Sequence, residues 1–475
     1  MNSKYVIIFL TSCFVLGVIL QKVCFVTISF GFGKLLCIIL ISIFIQRYIV
    51  TGALKCLLLG ILFVILGCHV TVFYRKPDLD IYCTDDITHY YVKSLVTQKL
   101  TKKWNKCEML LLQLHTNKED IIVKQYIKIQ VIVYNNHENK TIHYGDVFRI
   151  TGRPQKIYMD TKYRYYQEFL HENGVFLQQF VYPKNIRFIA CINDNCFTNY
   201  FVMLYFFLYE RLLKFIKNNE VRYVLATMLL GPQNEKDDTI AKIYTKAGVI
   251  HALAISGIHM NIILKCIQYL LSPFILFPSR CVQVVKMLVT VISIWIYLII
   301  IKCPPSALRA TIMSTYLLIC QITYNQYSTI ISAFVSLLFT SFFLPSNIFN
   351  IGAQLSYAAL FSILSAGYFL QKIKLQFTIG RFLIENIIVS IFITFFTAPI
   401  SIYYFHSVPL CSCVSNIIMV PSVFIIITTG LMIIMSSCIN CQLQKLLSYV
   451  ITYFILGVNT ILRFISSLKY CVMYF

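Results

Sequence analysis

The chain has 475 residues, with 41 Lys and Arg against 19 Asp and Glu, a net charge of +22 and 58% hydrophobic residues. Only 13% of the residues are charged, against about 25% in a soluble globular domain. An ordinary soluble enzyme and a disordered polycation are both excluded. Apolar runs of about 20 residues, the length that crosses the hydrocarbon of a bilayer, recur along the chain.

Three apolar stretches come first, at 5–20, 35–45 and 53–73, divided by Lys22, Lys34 and Arg47. Lys4 is a thin basic flank and no small-residue cleavage site follows the first run, so the reading is a span and not a removed leader. Three spans with the amino terminus in the cytoplasm put the next segment outside.

Between 76 and 195 charges come every few residues. "YIKIQVIVY" (126–134), "DVFRITGR" (146–153) and "VFLQQFVY" (175–182) alternate in the manner of half-buried strands. "KYRYYQEFLHENG" (162–174) reads as a short helix stopped by Gly174. Short strands around one helix predict a small β-barrel of OB-like form. Cys83 and Cys107 can pair as a disulfide if the domain is outside the cytoplasm. Tyr126, Lys128, Tyr134, Arg149 and Arg153 interleave aromatic faces with cations, a pattern that suits single-stranded nucleic acid.

Apolar segments resume at 201–216, 221–230, 243–271, 284–301, 307–322, 328–343, 351–370, 382–404, 414–435 and 446–465. Some are too short to cross about 30 Å at 1.5 Å per residue. Short and interrupted segments mark broken helices around a site. The predicted class is a polytopic α-helical membrane protein with an inserted small β-barrel, in three domains: N-terminal transmembrane segments 1–75, an extracytoplasmic OB-like domain 76–195, and a transmembrane domain 196–475. Most acidic residues fall between 76 and 190, so the positive excess lies on the membrane part. Positive-inside loops account for most of it; a path for a polyanion would use the same sign.

Three polar constellations interrupt the last domain. In "HALAISGIHM" (251–260), Ser256 and Gly257 form a break flanked by His251 and His259. A helix restarting at Gly257 would aim free N–H groups and the positive end of its dipole at whatever lies before it. In "KCPPSALRATIM" (302–313), the prolines end one span, Ser306 can cap the next, and Arg309 lies a turn inside it. Arg309 either snorkels to the headgroups or faces inward to meet an anion. In "NIFNIGAQLSYAAL" (347–360), Asn350, Gln354 and Tyr357 share a helical face, which must meet protein or water. Asn416, before Pro421, is a similar case. "CSC" (411–413) and "CINC" (438–441), with His406, have metal-ligand character, but at span ends they read as small buried hydrophobes, and no metal or cofactor is assigned.

In that order, "HALAISGIHM", "PPSALRATIM" and "IGAQLSYAAL" resemble the hallmark segments of the ComEC-type competence proteins, the inner-membrane DNA-uptake channels of naturally transformable bacteria. "LLGPQNEKDDTIAKIYTKAGVIHALAISGIH" (229–259) is similar to the family's most characteristic block, and "HYGDVFRITGRPQKI" with "YRYYQEFLHENGV" to its OB-like module. The resemblance implies passage of a single DNA strand through a bacterial inner membrane. His251, Ser256, Gly257, His259, Arg309 and Gln354 stand at the matched motif positions and would line or shape the path. The expected partners are single-stranded DNA, membrane lipids, a DNA receptor and a cytosolic translocase, with a second copy of the chain as a further candidate. Many relatives carry a C-terminal metallo-β-lactamase-like domain with a His-x-His-x-Asp-His motif. The nine histidines here include no His-x-His pair, so the expectation is a truncated form, not an enzyme, that leaves second-strand degradation to a separate nuclease.

Two other readings compete. The broken helices would also suit a transporter of a small anionic substrate. "AISG" (254–257) resembles the Gly-x-Ser-Gly of rhomboid-type intramembrane proteases, with Ser256 as nucleophile and His259 or His406 as base. Against this, Ala254 stands where that motif has Gly, and His259 is only three residues on.

Overall fold

The computed structural model describes residues 3–24, 59–67, 82–83, 86–99, 104–116, 120–122, 127–134, 145–157, 170, 175–191, 197–231, 237–272, 280–323, 328–372, 378–437, 439–468 and 471–475. The predicted middle N-terminal span and the predicted helix at 162–174, Leu170 apart, lie outside them. The chain divides into two compact units: Met1–Arg75 with Lys246–Met432 and Ile461–Phe475, and Lys76–Thr245 with Ile433–Thr460.

The second unit holds an eight-stranded mixed sheet: β1 (Ile87–Lys99), β2 (Trp104–Thr116), β3 (Asp120–Ile122), β4 (Lys128–Tyr134), β5 (Asp146–Thr151), β6 (Gln155–Lys156), β7 (Val175–Val181) and β8 (Ile186–Cys191). Its order is β6-β7-β4-β2-β1-β5-β8, with β3 against β2. Only the β4–β7 pair is parallel. Alternation places Tyr90, Val92, Met109, Leu111, Leu114, Ile129, Val131, Ile150 and Leu177 on the buried face. Cys107 is buried in this core and Cys83 packs against it.

The predicted small β-barrel is corrected to an open sheet. β6 and β8 end the strand order, and among the described residues no ladder joins them to close a barrel. The sheet is nevertheless strongly curled. Tyr90 on β1 donates its hydroxyl to Gln179 on β7, although three inter-strand steps of about 4.8 Å separate the two strands in a flat sheet. The same Gln179 amide crowds Gly152 after β5, where a Cβ would meet Nε2 at 2.7 Å. Gly152 has φ +114°, a conformation that glycine adopts without penalty.

Three further helices of this unit are α3 (Phe197–Leu213), α4 (Asn219–Leu230) and α5 (Asp238–Lys246). Asn218 caps α4 by accepting the Glu220 and Val221 N–H groups. Polar ties cross the apolar packing: Arg211 donates to the Ser437 carbonyl at 2.9 Å, Gln444 to the Arg211 carbonyl at 2.6 Å, and Tyr244 to Asn459 Oδ1 at 2.9 Å.

The first unit is helical. It begins with α1 (Ser3–Cys24) and α2 (59–67). These two approach backbone to backbone, because a Cβ on Gly17 would sit 2.0 Å from the Val64 carbonyl and one on Gly67 2.2 Å from that of Phe14. Close crossing at small residues is how helices gain van der Waals contact in lipid. The remaining helices are α6 (Gly257–Leu270), α7 (Arg280–Ile300), α8 (Pro305–Ile322), α9 (Thr329–Phe343), α10 (Ile351–Leu370), α11 (Thr378–Phe405), α12 (Ser412–Ser436) and α13 (Cys441–Ser466). The last two continue across both units. A short pair, β9 (Ser407–Pro409) and β10 (Val472–Tyr474), joins the start of α12 to the chain end.

Among the described residues, six stretches are long and apolar enough to cross a bilayer: Ile250–Leu270, Arg280–Ile300, Ile351–Leu370, Ile384–Phe405, Ser412–Ser436 and Cys441–Ser466. On α7 the exposed residues Val285, Leu288, Val289, Ile292, Ile296 and Ile299 recur at three- and four-residue steps. A stripe of that length turned outward needs an apolar solvent. The chain is a multi-pass membrane protein.

Candidate functional site

The stretch predicted to break does break. After α5 the chain makes a 3-10 turn at Ile250–Ala252, then Ser256 takes the N-cap position and α6 starts at Gly257. The Ser256 hydroxyl lies 2.8 Å from His259 Nδ1, and the Ser256 N–H donates to the same nitrogen at 3.2 Å. A nitrogen that accepts a backbone N–H carries no proton, so the ring is the Nε2–H tautomer. His259 thus takes the place that Glu or Gln holds in a capping box. It is 1% exposed. Nε2 has no hydrogen-bond partner in good geometry, although the Ala252 carbonyl lies by the ring. His251, on the turn, remains exposed.

Two hydrogen bonds bring the three constellations together. Ser306 does not cap α8; Pro304 holds that position, and the Ser306 hydroxyl donates to the Ile255 carbonyl at 2.6 Å. The start of α6 lies against α8 at Gly257, where a Cβ would make an ordinary contact with Ala310 Cβ at 3.6 Å. Arg309 does not snorkel. It is 2% exposed and donates from Nη2 to the Gly352 carbonyl of α10 at 3.0 Å. Its guanidinium lies 5.3 Å over the Tyr357 ring. Nε and Nη1 have no hydrogen-bond partner among the described residues. An unpaired buried cation costs several kcal/mol, on the order of the Born penalty left after relaxation. A guanidinium held with two donor edges unspent matches the geometry of a bidentate oxyanion.

Asn350 caps α10, accepting the Gly352 and Ala353 N–H groups at 2.8 and 3.3 Å. Gln354 folds back to the Phe349 carbonyl at 3.3 Å. Both polar groups therefore serve the start of the helix whose Gly352 carbonyl holds Arg309. Asn416 donates to Ser390 of α11 at 3.2 Å; among the described residues no hydrogen bond joins it to the Arg309 cluster.

Sequence reasoning placed an apolar segment at 328–343 but missed the polar stripe on α9. Ser336 donates to the Arg309 carbonyl at 3.3 Å, and Ser332, Ser336 and Thr340 are all buried. Their four-residue spacing within an apolar run was the available signal. It also missed one row of the sheet. His89 on β1 stacks on His115 of β2 at 4.4 Å, and Tyr91 meets both rings edge-on. Tyr91 lies opposite Arg149, which lies opposite Arg187. Directly opposed residues share a face, so two cations continue the row of rings on the side away from the core. Only Arg149 of this group was singled out, because β1 and β8 show no clean alternation.

Among the described residues no three His, Cys, Asp or Glu side chains converge as a metal site.

A buried cation at the junction of interrupted membrane segments marks a candidate functional site. The family described as Competence protein matches residues 228–475, slightly more than half of the chain, and the chain belongs to that family. It is 25% identical over 198 residues to ComE operon protein 3 of Bacillus subtilis (strain 168). That match takes in 42% of this chain and 24% of the relative's length, so the chain spans about a quarter of the curated relative it matches. No solved structure matches.

Proposed function

We propose that this chain is a membrane channel through which a single DNA strand passes during natural transformation. The observation that carries the reading is the Arg309 cluster: three interrupted segments tied by hydrogen bonds around a buried guanidinium with two donor edges open. A phosphodiester cannot cross hydrocarbon without such donors. The cluster is closed, with Arg309 almost fully buried, so passage requires α6 and α10 to part from α8. In this reading an arriving phosphate takes up Nε and Nη1 and offsets the cost of opening.

The row His89, Tyr91, His115, Arg149 and Arg187 supports the same substrate. Rings that stack on bases, continued by cations for the backbone, suit a single strand of any sequence. The sheet then stands outside the cytoplasm of a bacterial inner membrane, where Cys83 and Cys107, which share its core, can pair as a disulfide. The strand would be delivered by a DNA receptor and drawn in by a cytosolic translocase.

The test is import of labelled DNA into a protected compartment by cells lacking the chromosomal copy and supplied with this chain or its Arg309→Met variant. The channel reading expects import with the first and not with the second. Import of a small anion without DNA would favour a transporter instead. The Ser256–His259 contact has the distance of a protease dyad but serves as a helix cap, because the same Nδ1 also holds the Ser256 N–H.

A further inference from the structure

The chain end returns to the turn between α11 and α12. β10 pairs antiparallel with β9 in the register Val472–Pro409, Met473–Val408 and Tyr474–Ser407, and the Phe475 N–H closes on the His406 carbonyl at 2.9 Å. One step further along the ladder two cysteines meet. The N–H groups of Leu410 and Cys411 both donate to the Cys471 carbonyl, at 2.9 and 3.3 Å. The Cys471 thiol donates to the Lys246 carbonyl at 3.1 Å, and the Cys411 side chain lies beside it. Cys471 is buried and Cys411 half-buried. A backbone N–H to carbonyl bond brings two residues close enough for a disulfide of ordinary geometry to be sought between their side chains.

We propose that Cys411 and Cys471 form an oxidisable pair, closing a covalent clasp between the chain end and the turn that leads into α12. The turn is not isolated. Gly248, with φ +77°, is pressed against it, and a Cβ there would come within 2.9 Å of both Pro409 and Ser412. Gly248 lies three residues before His251. Oxidation therefore fixes the turn on which the start of the signature segment rests. The clasp is independent of what the protein conducts.

The half-buried Cys411 is the sulfur that an external oxidant reaches. Burial, and then the neighbouring Cys411, push the Cys471 thiol well above its ordinary range, so Cys471 is the resolving partner. With a diazene oxidant such as diamide the reaction balances. The Cys411 sulfur adds across the N=N bond, the Cys471 sulfur then attacks it, the S–S bond forms, and the hydrazine leaves with both thiol protons and the electron pair. A disulfide-donating protein would act by the same two steps, ending as a dithiol.

The experiment uses the full chain in membranes. It is treated with diamide, alkylated, digested and analysed by mass spectrometry with and without dithiothreitol. The expected product is a peptide pair linking Cys411 to Cys471 that is lost on reduction. Recovery of both cysteines as alkylated peptides after oxidation would overturn the proposal, as would a link from Cys471 to Cys413, whose thiol also neighbours Cys411. Cys413→Ser provides a second arm: the 411–471 link must survive in it.

Discussion

Arg309 and Gly352 are joined by a hydrogen bond of 3.0 Å from guanidinium to main-chain carbonyl, so a cation one turn into α8 is aimed by the first turn of α10. The carbonyl carries no full charge to neutralise the guanidinium, and two of its donor edges remain open. On the proposed function, those open edges are where an anion would be received.

Arg309→Met is therefore expected to abolish DNA import while the protein inserts at an undiminished level, because removing an uncompensated buried ion does not weaken packing. Arg309→Lys keeps the charge and loses the planar fork. Loss of charge-assisted hydrogen bonds at about 1.5–3 kcal/mol each predicts import lower by roughly ten- to a hundredfold. Labelled-DNA uptake normalised to protein in the membrane checks both.

His259→Gln restores the usual residue of a capping box and is expected to keep import near the unsubstituted rate. His259→Ala and Ser256→Ala lose a cap worth about 1 kcal/mol and should lower Tm in detergent. A protease would lose all activity with Gln as surely as with Ala, so the split between the two variants decides the role.

Tyr90→Phe removes the bond that holds the sheet in its curl, at a cost of about 1 kcal/mol. Burial raises the Tyr90 pKa far above its usual 10.0. Its phenol stays neutral while folded, so its contribution is complete below about pH 10 and is lost as pH rises beyond that, when the unfolded chain can ionise and the folded one cannot. Hydrogen exchange of the sheet against pH should show less alkaline destabilisation in the Phe variant.

Replacing Arg149 and Arg187 together by Ala should weaken single-stranded DNA binding and reduce the slope of log affinity on log salt by about 1.4 units, at about 0.7 per neutralised phosphate. Fluorescence titration at several salt concentrations measures it. An unchanged slope would mean that the row of rings and cations faces no phosphate.

Gly17→Ala puts a methyl group where the Val64 carbonyl stands 2.0 Å away. Overpacking of this kind costs about 1–3 kcal/mol, and Tm in detergent should fall. Gly457→Ala, where no neighbour lies within 4 Å, serves as the control and should leave Tm unchanged or slightly raised, as Ala replaces Gly inside a helix.

Most spans were legible because lipid imposes a simple pattern: long apolar runs with polar groups only where something meets them. The break at Ser256–Gly257 followed from that rule, whereas for Arg309 the sequence left snorkelling and an inward position equally open, and only packing decides between them. The strands at 126–134, 146–153 and 175–182 were visible through their alternation. The hairpin of β1 and β2 was not, since register shifts at Ile87/His89, Tyr91/Val92 and Ser94/Val96 disturb the two-residue period on which such a reading depends. The barrel was misjudged because closure is a property of pairing, and nothing in β6 or β8 alone says that the two will not meet. Ser306 looked like a cap by position; its hydroxyl instead reaches the Ile255 carbonyl, a contact only the packing of α6 on α8 creates. Asn350 and Gln354 were read as a polar stripe and proved to be occupied with their own helix start.

The contacts of the first helix bear on how the protein is made. Phe14 and Val18 of α1 are fully buried against Leu338, Ile348 and Phe349, more than three hundred residues downstream. The ribosome must therefore pass Leu338 before α1 can leave the lipid and settle into place. Until then its glycine-lined crossing with α2 is the shelter it has among the described residues, and a nascent chain stalled before Leu338 would leave that flank facing acyl chains.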